Sequence, residues 1–439
     1  MKSIIISSNC SGGGKTTVTL GLMKAFMKKG LKVQGYKVGP DYIDTAFHSH
    51  VTGNPSRNLD LYIMGEKGVK ASYSRGKGDI GIVEGVMGLY DGKGIDTSYS
   101  TAHLANTLGL PVILVISPKA QSVTLCAEIM GLMKFGNVNI AGIIFNNMKE
   151  GYYKLLNAAV EKNCGIKVFG YVPRDEKLSL KSRHLGLIQS SEIKDLDEKI
   201  DLCSELILKH IDLEEMLKYF PENTLYEDDF YIENRNLKIA VSHDKAFSFY
   251  YRENLELLKE AGEVTYFSPM KDKKVPDNMD FIYLGGGYPE VFAKEVSENK
   301  SMLNSIKENL DKGKRCYAEC GGLMYLTQGI NIDDKKYPLV GFFNGESYMT
   351  NRLQNFGYAE ITVYKENHIL EKGLKIKCHE FHKSYIDSKE EKIYKIQKTM
   401  YDNSIKNWEC GYLKNNTVAS YGHVHFFSNM NFIKSILNK

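Results

Sequence analysis

Cys320 stands in the run Tyr317-Ala318-Glu319-Cys320-Gly321-Gly322, after an apolar, strand-like approach and before the helix-like Leu323-Met324-Tyr325-Leu326. A thiol on such a strand-to-helix elbow is presented outward, beside a helix N-terminus whose dipole favours its thiolate. A free thiol with a pKa of about 8.5 is only a few per cent ionised at neutral pH, so chemistry there needs a base. The apolar, strand-like run from Ala419 to Phe426 offers His423 and His425. Alternation would put both on one face of a strand, so periodicity does not choose between them. Upstream, Leu284-Gly285-Gly286-Gly287-Tyr288-Pro289-Glu290 follows the apolar Phe281-Ile282-Tyr283. Flexible backbone of this kind can turn the N–H groups of Gly286 and Gly287, together with that of Gly321, toward an oxyanion. These are the parts of an acyl-transfer site. Most of the eight cysteines are expected to be packing residues, Cys316 among them. Glycine usually stands two residues before an elbow nucleophile, and Ala318 takes that place here.

A second chemistry lies at the other end of the chain. Lys2-Ser3-Ile4-Ile5-Ile6-Ser7 reads as a buried strand, followed by Ser8-Asn9-Cys10-Ser11-Gly12-Gly13-Gly14-Lys15-Thr16-Thr17 and an apolar helix start. Strand, glycine loop and helix are the context of a phosphate-binding loop. Backbone N–H groups around Gly12, Gly13 and Gly14 would cradle phosphates, Lys15 would reach the terminal ones, and a hydroxyl of Thr16 or Thr17 would ligate magnesium. Asn9 occupies the first glycine position of the usual pattern, which asparagine tolerates because it also accepts positive φ. Lys37-Val38-Gly39-Pro40-Asp41-Tyr42-Ile43-Asp44 then ends a second strand and Ile80 to Glu84 a third. Carboxylates at the carboxyl ends of parallel strands point into the crevice where open α/β sheets bind ligands. Asp41, Asp44 and Glu84 are so placed, and oxygen ligation is what magnesium requires. The ion is assigned to Thr16, Asp41 and Glu84; Lys37, Asp44, Arg183 and His184 are assigned to substrate, arginine being suited to bidentate anion recognition.

The elements that must hold these residues divide into two sets. From the start to 191, strands alternate with helices, Pro111 to Ile116 and Ile140 to Phe145 being further buried strands, which predicts a doubly wound parallel sheet. Residues 192–235 are charged and helix-patterned and read as a connector. A second α/β domain opens at 236 with Leu237-Lys238-Ile239-Ala240-Val241 and runs to 439. At 439 residues and 43% apolar content, two or three sizeable cores are expected. No apolar stretch approaches a membrane span, and no signal segment opens the chain. Eight cysteines without paired short spacings point to a reducing cytoplasm. A net charge of +4 is too small to argue for nucleic-acid binding, and none is expected. His379-Glu380-Phe381-His382 is not the HExxH metal motif, because its histidines are three apart rather than four.

The order of Cys320, glycine turn and late histidines resembles that of triad-type glutamine amidotransferases. Such enzymes often carry Glu two residues after the catalytic His, where this chain has His425. ParA-type partition ATPases place a signature lysine five residues before the loop lysine, and here Cys10 stands there. Almost end to end, the chain resembles the cobyrinic acid a,c-diamide synthase family. The resemblance rests on the phosphate loop, Lys37 to Asp44, Val83-Glu84-Gly85-Val86-Met87-Gly88-Leu89-Tyr90-Asp91-Gly92, Ser182-Arg183-His184-Leu185-Gly186-Leu187, Asp244 to Tyr251, the triple glycine, the Cys320 elbow and His379 to His382. It implies an α/β chain with a P-loop domain followed by a class I amidotransferase domain. It also implies ATP with Mg2+, L-glutamine as nitrogen donor, and amidation of the a and c acetate groups of cobyrinic acid through acyl phosphates. By the same resemblance Asn146 lies near the adenine, His379 to His382 faces the acceptor, and the Ser/Thr-Tyr-x-His pattern on Ser420 to His423 selects His423 as the base. A homodimer is compatible with it. The alternatives are nickel sirohydrochlorin or other corrin carboxylates as substrate, and an ATP-driven binding module with a degenerate second domain.

Overall fold

The computed structural model describes residues 1–179, 189 and 192–438, and the backbone alone at 182, 183, 186 and 187. The chain forms two compact units, one of Met1–Leu61 and Glu66–Asp228, the other of Tyr62–Gly65 and Asp229–Lys439.

The first unit is a seven-stranded sheet of β1 (Lys2–Ser8), β2 (Val33–Val38), β3 (Arg57–Leu59), β4 (Ile80–Glu84), β5 (Val112–Ile116), β6 (Ile140–Met148) and β7 (Val168–Pro173), in the order β3-β2-β4-β1-β5-β6-β7. Every neighbouring pair is parallel. β1, β4 and β5 are apolar runs buried along nearly their whole length, as strands covered on both faces must be. The register places Lys37 of β2 opposite Glu84 of β4, and Ile6 of β1 opposite Glu84 on the other side. Glu84 therefore closes its strand two residues from the end of β1, where the chain enters the phosphate loop. The segment 192–235 is divided: its helices Leu196–His210 and Leu213–Leu217 belong to the first unit, and residues from Asp229 to the second. The longer of them packs on α1 (Lys15–Lys28), and Gly21 makes room for it. A Cβ at Gly21 would stand 2.5 Å from Cys203 Sγ and 2.7 Å from Ile207 Cδ1.

After β7 the backbone forms a short antiparallel pair, β8 (Ser182–Arg183) with β9 (Gly186–Leu187). The side chain of Arg183 and all of His184 lie outside the described residues.

The second unit is built on β10 (Leu237–Ser242), β11 (Gly262–Phe267), β12 (Phe281–Leu284) and β13 (Arg315–Glu319), which pair in parallel as β11-β10-β12-β13 and continue in parallel to β20 (Thr417–Ser420). An extension that the sequence did not suggest adds β14 (Gly329–Ile332), β15 (Lys335–Pro338), β16 (Gly345–Val363), β17 (Lys375–Ser388), β18 (Glu391–Thr399) and β19 (Ile405–Lys414), mostly antiparallel. The short β21 (His423–Val424) pairs with β17, His423 opposite His379. Among the described residues no helix is long and apolar enough to cross a membrane.

The packing of α1 is testable. Gly21→Ala should cost about 1–3 kcal/mol through overpacking, a fall of about 3–10 °C in the melting of the first unit. Adding Cys203→Ala, which removes the nearest atom, should restore part of that loss in calorimetry, since neighbouring substitutions do not act independently.

Candidate active sites

In the first unit Gly14 caps α1 in the left-handed region at φ 88°, and a Cβ there would fall 2.0 Å from Asn146 Nδ2. Only glycine lets the loop lie so close to β6. Asn146 donates to the Gly13 carbonyl at 3.2 Å, as does Ser117 Oγ at 3.0 Å, so Asn146 sits against the loop itself. Lys15, buried at the start of α1, donates to the carbonyls of Cys10 at 3.0 Å and Met87 at 2.5 Å. Burial, and then repulsion from Lys37, lowers its pKa. Neutral carbonyls are weak partners for an ammonium, and phosphate oxygens would be stronger ones.

Thr16 Oγ1 donates to Glu84 Oε1 at 2.6 Å, so the hydroxyl that meets the carboxylate belongs to Thr16 rather than Thr17. Lys37 Nζ, also buried, lies 3.0 Å from Glu84 Oε1 and 2.5 Å from Asp44 Oδ2. Burial alone would lower the Lys37 ammonium, but Asp44 and Glu84 hold it above its ordinary value. Burial would likewise raise Glu84; Lys37 and hydrogen bonds from His48 and Thr16 reverse this and keep it an anion. Asp44 goes the other way, raised by burial and by the charges of Asp41 and Glu84 against the opposing pull of Lys37. The two carboxyls that share one ammonium thus separate into an anion and a group that protonates readily.

Asp41 is the N-cap of α2 (Tyr42–Thr52), its Oδ1 accepting from the Ile43 and Asp44 amides at 2.8 and 3.0 Å. One turn along α2 from Asp44, His48 contacts Glu84 Oε2 through Nε2 at 2.7 Å and Ser56 Oγ through Nδ1 at 3.2 Å. The sequence reading missed His48; its i,i+4 spacing from Asp44 is the signal that could have found it. Among the described residues no cluster of three or more His, Cys, Asp or Glu side chains is arranged to hold a metal.

In the second unit Cys320 has φ 47° and ψ −101° and caps the helix Gly321–Leu326. Its amide donates to the Ser420 carbonyl at 2.8 Å, tying the elbow to the end of β20. Three segments converge here. A Cβ at Gly286 would lie 2.3 Å from His423 Cε1, and one at Gly321 would lie 2.8 Å from Pro289 Cδ and 3.2 Å from the Gly287 amide nitrogen. The glycine loop is held from behind: the Gly285 amide donates to Tyr250 Oη at 2.8 Å, and the amides of Ser248 and Phe249 donate to the Gly286 carbonyl. This gives Asp244 to Tyr251 its place, with Asp244 itself turning the chain through the amides of Ala246 and Phe247.

The thiol does not behave as the helix dipole alone suggests. Burial pushes Cys320 well above its ordinary pKa, the carboxylates of Glu290 and Glu380 add to that, and the Gly321 amide opposes it only in part. A six-residue helix cannot offset the loss of water around a thiolate. The resting group is therefore a thiol.

The two late histidines separate cleanly. His425 accepts from the Phe427 amide through Nδ1 at 3.1 Å and so donates through Nε2 to Glu253 at 3.2 Å, both nitrogens being used in holding the chain. His423 meets the glycine loop at Gly286 and turns Nδ1 toward Glu319 Oε2 at 3.4 Å. On β17, Glu380 accepts from Trp408 Nε1 at 3.1 Å and lies 3.1 Å from His382 Nε2, while the His382 ring stacks on Tyr421 at 3.8 Å. That segment is an internally satisfied polar cluster, not an open metal site.

Two family models match the chain: a CobQ/CobB/MinD/ParA nucleotide binding domain over residues 4–188, and a CobB/CobQ-like glutamine amidotransferase domain over residues 238–431. The cobyrinate a,c-diamide synthase of Clostridium tetani is 68% identical over the full length of both chains. That of Clostridium acetobutylicum is 61% identical, again over all of both chains, and that of Caldanaerobacter subterraneus is 40% identical over 99% of this chain and 97% of its own. The chain belongs to the cobyrinate a,c-diamide synthase family. Members of this family are ligases, and the nucleotide-binding and amidotransferase halves coincide with the phosphate loop and the Cys320 elbow respectively.

The elbow geometry makes a prediction about stability. At an unstrained site alanine exceeds glycine by about 0.5–1 kcal/mol. At position 320 the order should invert, with Cys320→Gly more stable than Cys320→Ala by about 1 kcal/mol in urea or thermal unfolding, because glycine relieves the left-handed backbone. A glycine variant no more stable than the alanine one would show that the elbow carries no strain.

Proposed function

We propose that this chain uses ATP and glutamine to amidate the a- and c-acetate carboxylates of cobyrinate. The observation that carries the amidotransferase half is the convergence of the Cys320 elbow, the His423 imidazole and the glycine loop. The acceptor is supported by the full-length relatives named for cobyrinate.

In the second unit Cys320 Sγ attacks the glutamine carboxamide while His423 takes the thiol proton. The amides near Gly286, Gly287 and Gly321 stabilise the oxyanion, and the imidazolium returns its proton to the departing ammonia. Water then releases glutamate from the thioester. In the first unit the acceptor carboxylate attacks the terminal phosphate of ATP and expels ADP, giving an acyl phosphate from which ammonia displaces inorganic phosphate to form the amide. Lys15 leaves its two carbonyls for the phosphates, and the glycine loop offers its amides. Lys37 and Asp44 line the acceptor side, where the ammonium offsets the incoming carboxylate, and Arg183 and His184 are assigned to the same task. Thr16, Glu84 and Asp41 are the oxygen donors that would hold Mg2+, which would neutralise phosphate charge. The oxygens of Glu84 are already bonded to Thr16, Lys37 and His48, which suits an ion that keeps several of its waters.

Three measurements test this reading. Cys320→Ala should lose glutamine-dependent synthesis by about 10³-fold or more and keep most synthesis from added ammonia, since only the nitrogen source is removed. Lys15→Ala should lose synthesis from both nitrogen sources and still hydrolyse glutamine; a folded Lys15→Ala protein that makes product overturns the nucleotide-site assignment. Offered cobyrinate and nickel sirohydrochlorin side by side, the enzyme should favour cobyrinate in kcat/KM and add two nitrogens per molecule. A preference of more than about tenfold for the nickel compound, or ~1.4 kcal/mol at the transition state, would move the acceptor while leaving the chemistry in place.

A further inference from the structure

The base of an acyl-transfer site needs a partner that fixes its tautomer, and the position two residues after His423 cannot supply one. His425 stands there, committed to Glu253 and the Phe427 amide. The carboxylate that does face His423 comes from β13. Glu319 is 1% exposed, its Oε2 lies 3.4 Å from His423 Nδ1, and its Oε1 accepts from the Val424 amide at 3.3 Å. Both oxygens thus engage β21, one the ring and the other the backbone beside it. We propose that Glu319, the residue immediately before Cys320, is the positioning acid that orients His423 in glutamine hydrolysis.

The inference rests on His423 being the base. With Nδ1–H held by Glu319, the lone pair is left on Nε2, and a proton taken there leaves an imidazolium beside a carboxylate. The 3.4 Å separation is long for an N–H···O bond, as such contacts often are before substrate binds. The other ionisable groups that feel Glu319 do not compete for it as cations: Tyr250, Tyr283, Tyr317 and Tyr394 are buried phenols raised above their usual range, and Cys320 and Cys378 are buried thiols. Across β17, burial and then His423 push His379 down to about 3, so it too stays neutral.

The test is the pH dependence of glutamine hydrolysis. Removing a carboxylate beside an imidazole lowers the imidazole pKa, so in Glu319→Gln whichever limb of kcat/KM reports His423 should move about one unit to lower pH. The rate should fall on the order of 10²-fold or more, as when the orienting acid of a triad is neutralised. Glu319→Asp, which keeps the charge on a shorter arm, should recover about tenfold over the glutamine variant and return the limb part of the way. Synthesis from added ammonia should survive in both. Where the glutamine variant does not fold, the aspartate variant carries the test alone: about tenfold slower with the limb displaced supports the role. A folded variant with unchanged rate and profile, while Cys320→Ala and His423→Ala are inactive with glutamine, overturns the role of Glu319 and leaves the site standing. Glutamine hydrolysis surviving in His423→Ala instead removes the base, and this inference with it.

Discussion

Glu84 and Glu319 are each the last residue of a parallel strand, and each is almost wholly out of water. Taking a carboxylate from water costs several kcal/mol unless opposite charge and hydrogen-bond donors meet it. Around Glu84 those donors come from three separate elements: Lys37 of β2, Thr16 of α1 and His48 of α2. The β2–β4 register puts Lys37 opposite Glu84, so the sheet pairing and the ion pair specify one another. A slip by one residue would turn Lys37 to the other face and leave the anion unmatched. Around Glu319 the partners include two consecutive residues, His423 and Val424, with the buried phenols of Tyr283 and Tyr317 also within reach of the carboxylate. In each unit the strand end serves as anchor for the loops that carry the chemistry.

Backbone freedom is spent at the same places. Gly14 and Gly286 are held to no side chain because Asn146 in one case and His423 in the other occupies the space where a Cβ would stand. Cys320 is the exception, a residue with a side chain held at φ 47°. Its amide bond to Ser420 and its carbonyl bond to Met324 over-determine that conformation from both sides. Strain of this sort, on the order of 1–3 kcal/mol, persists only where surrounding structure fixes it.

Much of this was legible in the residues themselves. Five strands of the parallel sheet announced themselves in apolar runs such as Ile4-Ile5-Ile6 and Val112 to Ile116, while β3 and β7 went unread, and both glycine loops stood at strand ends. The antiparallel β14–β19 extension did not, since a strand such as β18 is partly exposed and mixes charged with apolar residues. What distinguishes the surroundings of His423 from those of His425 also lay beyond periodicity, because His425 is tied to Glu253, 172 positions away in sequence. Glu319 was in plain view beside Cys320 and still went unread, because a strand sends neighbouring side chains to opposite faces. Within His379 to His382, the polar atoms of Glu380 and His382 meet Trp408, Ser384 and one another, partners that lie on other strands or further along the chain and that spacing alone could not supply.

That alternation explains why the acid can precede the nucleophile at all. In regular extended backbone, residues 319 and 320 would serve opposite faces of the sheet and could not attend one imidazole. The positive φ at Cys320 ends the alternation at that point, and the chain turns into the helix Gly321–Leu326. β13 and β20 are parallel neighbours with Glu319 opposite Ser420, so a carboxylate at the end of β13 lies alongside the turn that leads, three residues later, to His423. A glutamate placed two residues after the histidine would approach the ring from its own strand; Glu319 approaches it from the adjacent one. An orienting carboxylate can therefore come from the adjacent strand and still face Nδ1, and the residue two after His423 is released to become His425, which holds the chain to Glu253.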